Sequence, residues 1–268
     1  MLPVKSIRYL FSPLRSTLLR RLSEILRWLY PKTIAQKPIK GYRKTLYYEK
    51  GQHLTFLGRR EIHYEPSIRQ AIMPLIPVGG LVFDIGANIG QYTVIFSERV
   101  GESGRVIAVE PDYKNFAFLQ FNVLINRCGN VQCLLCGLGA HCAELPLYRD
   151  TLTGGRRSAF KEEWAGSPSP GCVEKVPVRT LDNLIATYGE PAFVKIDAEG
   201  SEADILRGLS TDLAGCVFLV EVRRETAEEV WAYFARRGYR CVCVEMGNAP
   251  VRRPEDIPGF AHLLFQKG

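Results

Sequence analysis

The chain has no apolar run approaching the ~20 residues that span a bilayer core, and no G-x-G-x-x-G, the glycine pattern of dinucleotide-binding loops. The first lack argues against a membrane-spanning helix, and the second against a nicotinamide-dependent oxidoreductase. Histidines number only four, no His-x-x-x-His occurs, and no second Cys-x-x-Cys joins Cys133 and Cys136, so the usual zinc sets are incomplete. The expected marks of a secretory leader are missing as well. The eight cysteines then read as buried thiols of a reducing, cytoplasmic compartment rather than as a disulfide frame.

Acidic residues are scarce at one end. Residues 1–45 hold eleven Lys and Arg against Glu24 alone, a local charge of +10, while the remainder carries −3. Ile7, Leu10, Leu14, Leu18, Leu22, Ile25 and Leu29 recur at three- and four-residue steps, so the segment predicts a basic amphipathic helix interrupted near Pro13. Such a helix can pack on the main domain or on a second subunit, lie on an anionic membrane surface, or dock on RNA. No RNA-binding motif accompanies the charge, so nucleic acid is not the expected partner. Pro31 to Lys50 shows no clear period and reads as a linker. The expected division is an N-terminal extension over residues 1–50 and one α/β domain over 51–268, long enough for a substantial core.

The domain is organised around Leu81-Val82-Phe83-Asp84-Ile85-Gly86-Ala87-Asn88-Ile89-Gly90-Gln91. An apolar run, a loop with two glycines and an amphipathic stretch predict a buried parallel strand, a tight turn and a helix facing a ligand. Glu110 follows Gly90 at the end of Val106–Val109, where a strand-tip carboxylate is placed to hold ribose hydroxyls. Asp84, expected at the mouth of the loop, would repel a pyrophosphate and attract a cofactor bearing an ammonium and a sulfonium. S-adenosylmethionine has both. Further strands are expected at Val131–Cys136, Phe193–Asp197, Val217–Glu221, Cys241–Val244 and His262–Phe265. Alternation of strands with helices demands a mostly parallel sheet. Asp197 and Glu199 close the fourth strand and Glu221 the fifth, at the edge where open α/β folds bind ligands.

Four stretches carry a family resemblance: Phe83-Asp84-Ile85-Gly86-Ala87-Asn88-Ile89-Gly90, Val109-Glu110-Pro111, Arg179-Thr180-Leu181-Asp182 and Val194-Lys195-Ile196-Asp197-Ala198-Glu199-Gly200-Ser201-Glu202. By these the chain resembles class I methyltransferases and, more narrowly, the FkbM family. The resemblance implies a Rossmann-like seven-stranded sheet, mostly parallel with one antiparallel strand. It also implies S-adenosylmethionine as cofactor, bound around Asp84, Gly86, Asn88, Gly90, Glu110, Leu138 and Asp197, with the backbone at Gly137-Leu138-Gly139 against adenine. The activity implied is O-methylation of a sugar, glycolipid or polyketide-like acceptor; RNA or protein methylation is an alternative. Asp197 or Glu199 leads as the base that removes the hydroxyl proton, with Glu221, His53 and His63 behind. The acidic pair could instead hold a divalent metal, although no metal set is assigned. The interruption over residues 141–178, with its loops Gly154 to Ser158 and Ala165 to Gly171, reads either as an acceptor-binding flap, with Arg156 and Arg157 able to meet acidic groups on a substrate, or as a mobile surface loop.

Overall fold

The computed structural model describes residues 33–50, 53, 60–62, 65–150, 158–165 and 168–267. The basic amphipathic segment, His63, Arg156 and Arg157 lie outside the described residues.

The first described elements correct the linker reading. β1 (Ile34–Pro38) and β2 (Thr45–Glu49) form an antiparallel hairpin, and Leu46 and Tyr48 are buried against the main domain. After α1 (Pro66–Ile72) come β3 (Leu81–Ile85), α2 (Gln91–Val100), β4 (Arg105–Val109) and α3 (Tyr113–Ile125). The amides of α3 complete the hairpin. Asn122 Oδ1 accepts from Tyr47 N at 2.7 Å, and Asn126 Oδ1 from Thr45 N at 2.8 Å. Their Nδ2 groups return hydrogen bonds to Tyr47 O and Thr45 O at 3.0 and 2.7 Å. Two asparagines four apart on a helix thus serve the free edge of β2, whose backbone groups would otherwise need water.

β5 (Val131–Leu134) is shorter than expected, because the chain leaves the main sheet before Gly137. β6 (Gly137–Leu138), β7 (Ala143–Asp150) and β8 (Pro168–Arg179) then make a separate three-stranded sheet. Thereafter α4 (Leu181–Tyr188), β9 (Phe193–Ile196), α5 (Glu202–Arg207), β10 (Val217–Arg223), α6 (Arg224–Ala235), β11 (Tyr239–Cys243), β12 (Ala249–Pro250) and β13 (Phe260–Lys267) follow. The main sheet runs β12-β11-β13-β10-β9-β3-β4-β5. Its long strands are the seven expected, parallel except β13, which lies antiparallel between β10 and β11. The two-residue β12 adds an eighth, antiparallel edge.

Both faces are covered, so the strands are apolar almost throughout. Phe83, Val194, Ile196, Phe218 and Val220 pack under α4, α5 and α6, while Val82, Phe193 and Leu219 pack under α1 and α2. Residue parity therefore sends Asp84 and Lys195 to the second face, and they are register partners across β3 and β9. Further along, Glu221 on β10 stands opposite His262 on β13.

Helix starts follow the sequence in part. Asp112 Oδ1 accepts from Lys114 N at 2.9 Å, and Thr180 Oγ1 accepts from Asn183 N at 3.1 Å, as N-caps do. Ser201, at the start of α5, makes no such bond. Glu202 Oε1 bends back instead, accepting from Ala198 N at 3.2 Å and Gly200 N at 3.0 Å. α6 opens on Arg223, with Thr226 Oγ1 accepting from Arg223 N at 3.2 Å.

Candidate active site

The carboxyl ends of β3, β4, β9 and β10 open onto one cavity of about 740 Å³, within the ~300–1,000 Å³ range of small-molecule sites. Gly86 lines it and Gly90 lies four residues on in the same loop, with φ of 75° and 88°. A Cβ on Gly86 would lie 1.8 Å from the Asp197 carbonyl oxygen, and one on Gly90 would lie 2.8 Å from Leu119 Cδ1. These glycines are required by close approach as well as by conformation. Asn88, at φ 52°, is left-handed too.

Glu110 fixes that loop. Its Oε2 accepts from Asn88 N at 2.8 Å and its Oε1 from Asp112 N at 2.9 Å. The side chain lines the cavity while the residue is only 5% exposed. Burial pushes its carboxyl up to about 8, against the pull of the two backbone donors. Leu138 lines the same wall. Gly137 leaves room for the Phe160 ring, which a Cβ there would meet at 2.2 Å, so a flap aromatic takes the space expected for direct backbone approach to adenine.

Asp84 departs from expectation. It is fully buried and does not line the cavity. Thr93 Oγ1 donates to its Oδ2 at 2.6 Å, and Lys195 Nζ lies 3.9 Å from its Oδ1. Ile85 and Gly86, one and two residues on, are what reach the cavity.

Asp197, Glu199 and Glu221 all line the cavity, and one oxygen of each lies within 4.8 Å of the others. The chain's own cations serve this cluster. Lys195 Nζ donates to Asp197 Oδ2 at 3.0 Å, Arg223 binds Glu199, and His262 Nε2 lies 3.4 Å from Glu221 Oε2. Burial works against charge on Lys195, but Asp197 and Asp84 hold its pKa above the ordinary lysine value. Glu199 sits at φ 47° and Gly200 at φ 92°, the latter against the Trp164 ring. His53 also lines the cavity, with Nδ1 3.1 Å from Glu49 O and its ring edge-on to Tyr48 and Phe118.

Several site residues escaped the sequence reading. Lys195 and His262 sit in runs that read as plain strand. Glu65 reaches the same region from before α1, accepting from Tyr92 Oη at 2.9 Å. The expected flap, by contrast, does deliver Ser158 and Phe160 to the cavity, and Ser158 Oγ donates to Asp112 Oδ2 at 3.1 Å. The partial signal for Lys195 was a charged residue inside an apolar strand, which must find a buried partner.

Comparison with known proteins decides the family. The methyltransferase FkbM domain pattern matches residues 84–241. The chain belongs to the methyltransferase FkbM domain family. It is 26% identical over 152 residues to "Methyltransferase 1" of Beauveria bassiana, covering 51% of this chain and 61% of that protein. It is 26% identical over 164 residues to "Methyltransferase sdnD" of Sordaria araneosa, covering 51% of this chain and 63% of that protein. The chain thus spans about six-tenths of the length of the curated relatives it matches. Among solved structures, a precorrin-6y C5,15-methyltransferase from Geobacter metallireducens superposes with a TM-score of 0.48 at 12% identity, over 78% of this chain and 93% of that one.

Proposed function

We propose that this FkbM domain is an S-adenosylmethionine-dependent methyltransferase acting on a hydroxyl of a sugar, glycolipid or polyketide-like acceptor. One observation carries the reading: a single cavity is lined at once by the buried Glu110 carboxylate and by the carboxylates Asp197, Glu199 and Glu221. The donor set suits this cofactor. Glu110 offers acceptor oxygens for ribose hydroxyls, the glycine loop removes side chains where a ligand must approach, and the acidic cluster favours a sulfonium and an ammonium. When bound, the cofactor supplies a methyl group on a sulfur that leaves with its bonding pair.

The chain's residues have the remaining tasks. The loop over Gly86 to Gly90 orients the ligand, the Phe160 flap restricts water, and a carboxylate of the cluster takes the hydroxyl proton. Two names among the relatives, both methyltransferases, support the class; neither fixes the acceptor. Calorimetry with S-adenosylhomocysteine tests the reading, and micromolar binding is expected. A wild-type protein that does not bind it would sink the proposal. Radiolabelled methyl transfer to a panel of sugars, glycolipids and RNA then identifies the acceptor class. The same reading places the basic residues of 1–32 on anionic membrane, where a glycolipid acceptor would be met. Equal co-sedimentation with anionic liposomes by the full chain and by a chain lacking residues 1–32 would reject that attachment.

A further inference from the structure

Glu245, His262 and Glu221 form a line that ends in the cavity, and each comes from a different element. Glu245 belongs to the one-turn helix Val244–Met246, His262 to β13 and Glu221 to β10. Glu245 grips the histidine twice: its Oε2 accepts from His262 N at 2.9 Å and its Oε1 lies 2.7 Å from Nδ1. A carboxylate on Nδ1 fixes the ring's orientation, and the far nitrogen then lies 3.4 Å from Glu221 Oε2. His262 is 3% exposed. Glu221 lines the cavity; His262 and Glu245 do not.

This line separates Glu221 from its two neighbours. Asp197 is hydrogen-bonded to Lys195 and Glu199 to Arg223. Glu221 meets its cation at ion-pair distance only. Burial and Asp197 push its carboxyl above the ordinary range while His262 holds it down. Burial opposes charge on His262, but Glu221 and Glu245 raise it to about 10. The charged groups facing Glu221 are Asp197 and Glu199 beyond β9, Glu65 before α1, Glu202 on α5 and His262 on β13. Those facing His262 are Glu245, Glu221 and Glu65.

We propose that Glu221 is the base of the reaction, and that Glu245, acting through His262, positions it and keeps it ionised. This rests on the methyltransferase reading. With the cofactor bound, the acceptor's O–H bond would break, its proton would pass to a Glu221 oxygen, and the freed oxygen pair would form the bond to the methyl carbon as the carbon–sulfur bonding pair leaves with the sulfur. His262 stays a cation throughout, and the proton leaves Glu221 for water once the product has gone. Glu221 is the catalytic residue here; His262 and Glu245 are positioning residues.

The test uses the full chain, carboxyl-labelled at glutamate and followed by carbon NMR, with the Glu221 signal assigned by its loss in Glu221→Gln. Glu245→Gln removes one charge and keeps an acceptor for His262. Its expected effect is an upward move of the Glu221 midpoint by about one pH unit, because the cation opposite is less well held. The acid limb of kcat/KM for radiolabelled methyl transfer to a sugar acceptor should move with it. Glu221→Gln should cut kcat by ~10²–10⁴-fold while S-adenosylhomocysteine affinity falls by a far smaller factor, and Asp197→Asn should cut kcat less. An unshifted Glu221 midpoint in Glu245→Gln, or near-full activity in Glu221→Gln, overturns the proposal. Should Glu245→Gln fail to fold, labelled histidine in the wild type decides: His262 must stay protonated past about pH 8, and titration near the ordinary ~6.5 overturns the proposal. Loss of S-adenosylhomocysteine binding by the wild type is a distinct failure, of the methyltransferase reading itself.

Discussion

Lys195 and Asp84 are register partners on adjacent parallel strands, their charged atoms 3.9 Å apart, and the same ammonium continues to Asp197 at 3.0 Å. One buried cation therefore joins the strand that precedes the glycine loop to the strand that ends in the acidic cluster. Lys195→Met should destabilise the protein by about 3–5 kcal/mol, since it leaves a buried carboxylate unopposed. Adding Asp84→Asn should recover part of that loss. Urea denaturation of the four members of this cycle measures the coupling, and strictly additive losses would show the two residues to be independent.

Gly86→Ala sets a methyl group against the Asp197 carbonyl oxygen in a left-handed conformation. A loss of about 2–4 kcal/mol is expected from strain and overpacking together. Binding of S-adenosylhomocysteine should fall with it. Unchanged melting and unchanged calorimetry would mean that the loop is less tightly apposed than described.

Stability should decline from about pH 5 to 7, and Glu202 is one cause. Burial raises its carboxyl to about 7, so over this window the folded protein holds a proton that the unfolded chain has released. Stability then falls as pH rises. Glu202→Gln keeps an oxygen for Ala198 N and Gly200 N but cannot titrate. The slope should flatten by an amount on the order of 2–3 kcal/mol across the window, read from thermal or urea melts at several pH values. Parallel pH curves for variant and wild type would exclude Glu202 as the source.

Deleting residues 1–32 should leave melting and S-adenosylhomocysteine binding intact. Deleting residues 1–45 removes β1 and Thr45, leaving Asn126 without the two bonds that Thr45 makes with it. Each hydrogen bond so lost costs about 0.5–1.5 kcal/mol, and Leu46 and Tyr48 lose their cover. The longer deletion should therefore melt well below the shorter one. Equal melting points would show the hairpin to be dispensable.

Much of the domain was legible because its signals are local. The strand before Gly86, the loop glycines, Glu110 at the next strand tip and the Asp112 cap each follow from a few neighbouring residues. Asp84 was misjudged because a strand-end carboxylate can face either layer. Here the alternation that buries Phe83 under one helical layer turns Asp84 toward the other, onto Thr93. The hairpin was missed because its decisive partners, Asn122 and Asn126, lie more than seventy residues away. Glu221 and His262 become neighbours only because β13 inserts antiparallel beside β10, a pairing that no spacing in the sequence announces.

Glu110 holds Asn88 and Asp112 by separate oxygens, so the loops leaving β3 and β4 are pinned to one another whether or not a ligand is present. Their conformational entropy is surrendered when the chain folds, and an incoming nucleoside does not have to order them. Affinity at this end of the cavity should then depend on how well the ligand fits a rigid rim, with fast association and little structural adjustment.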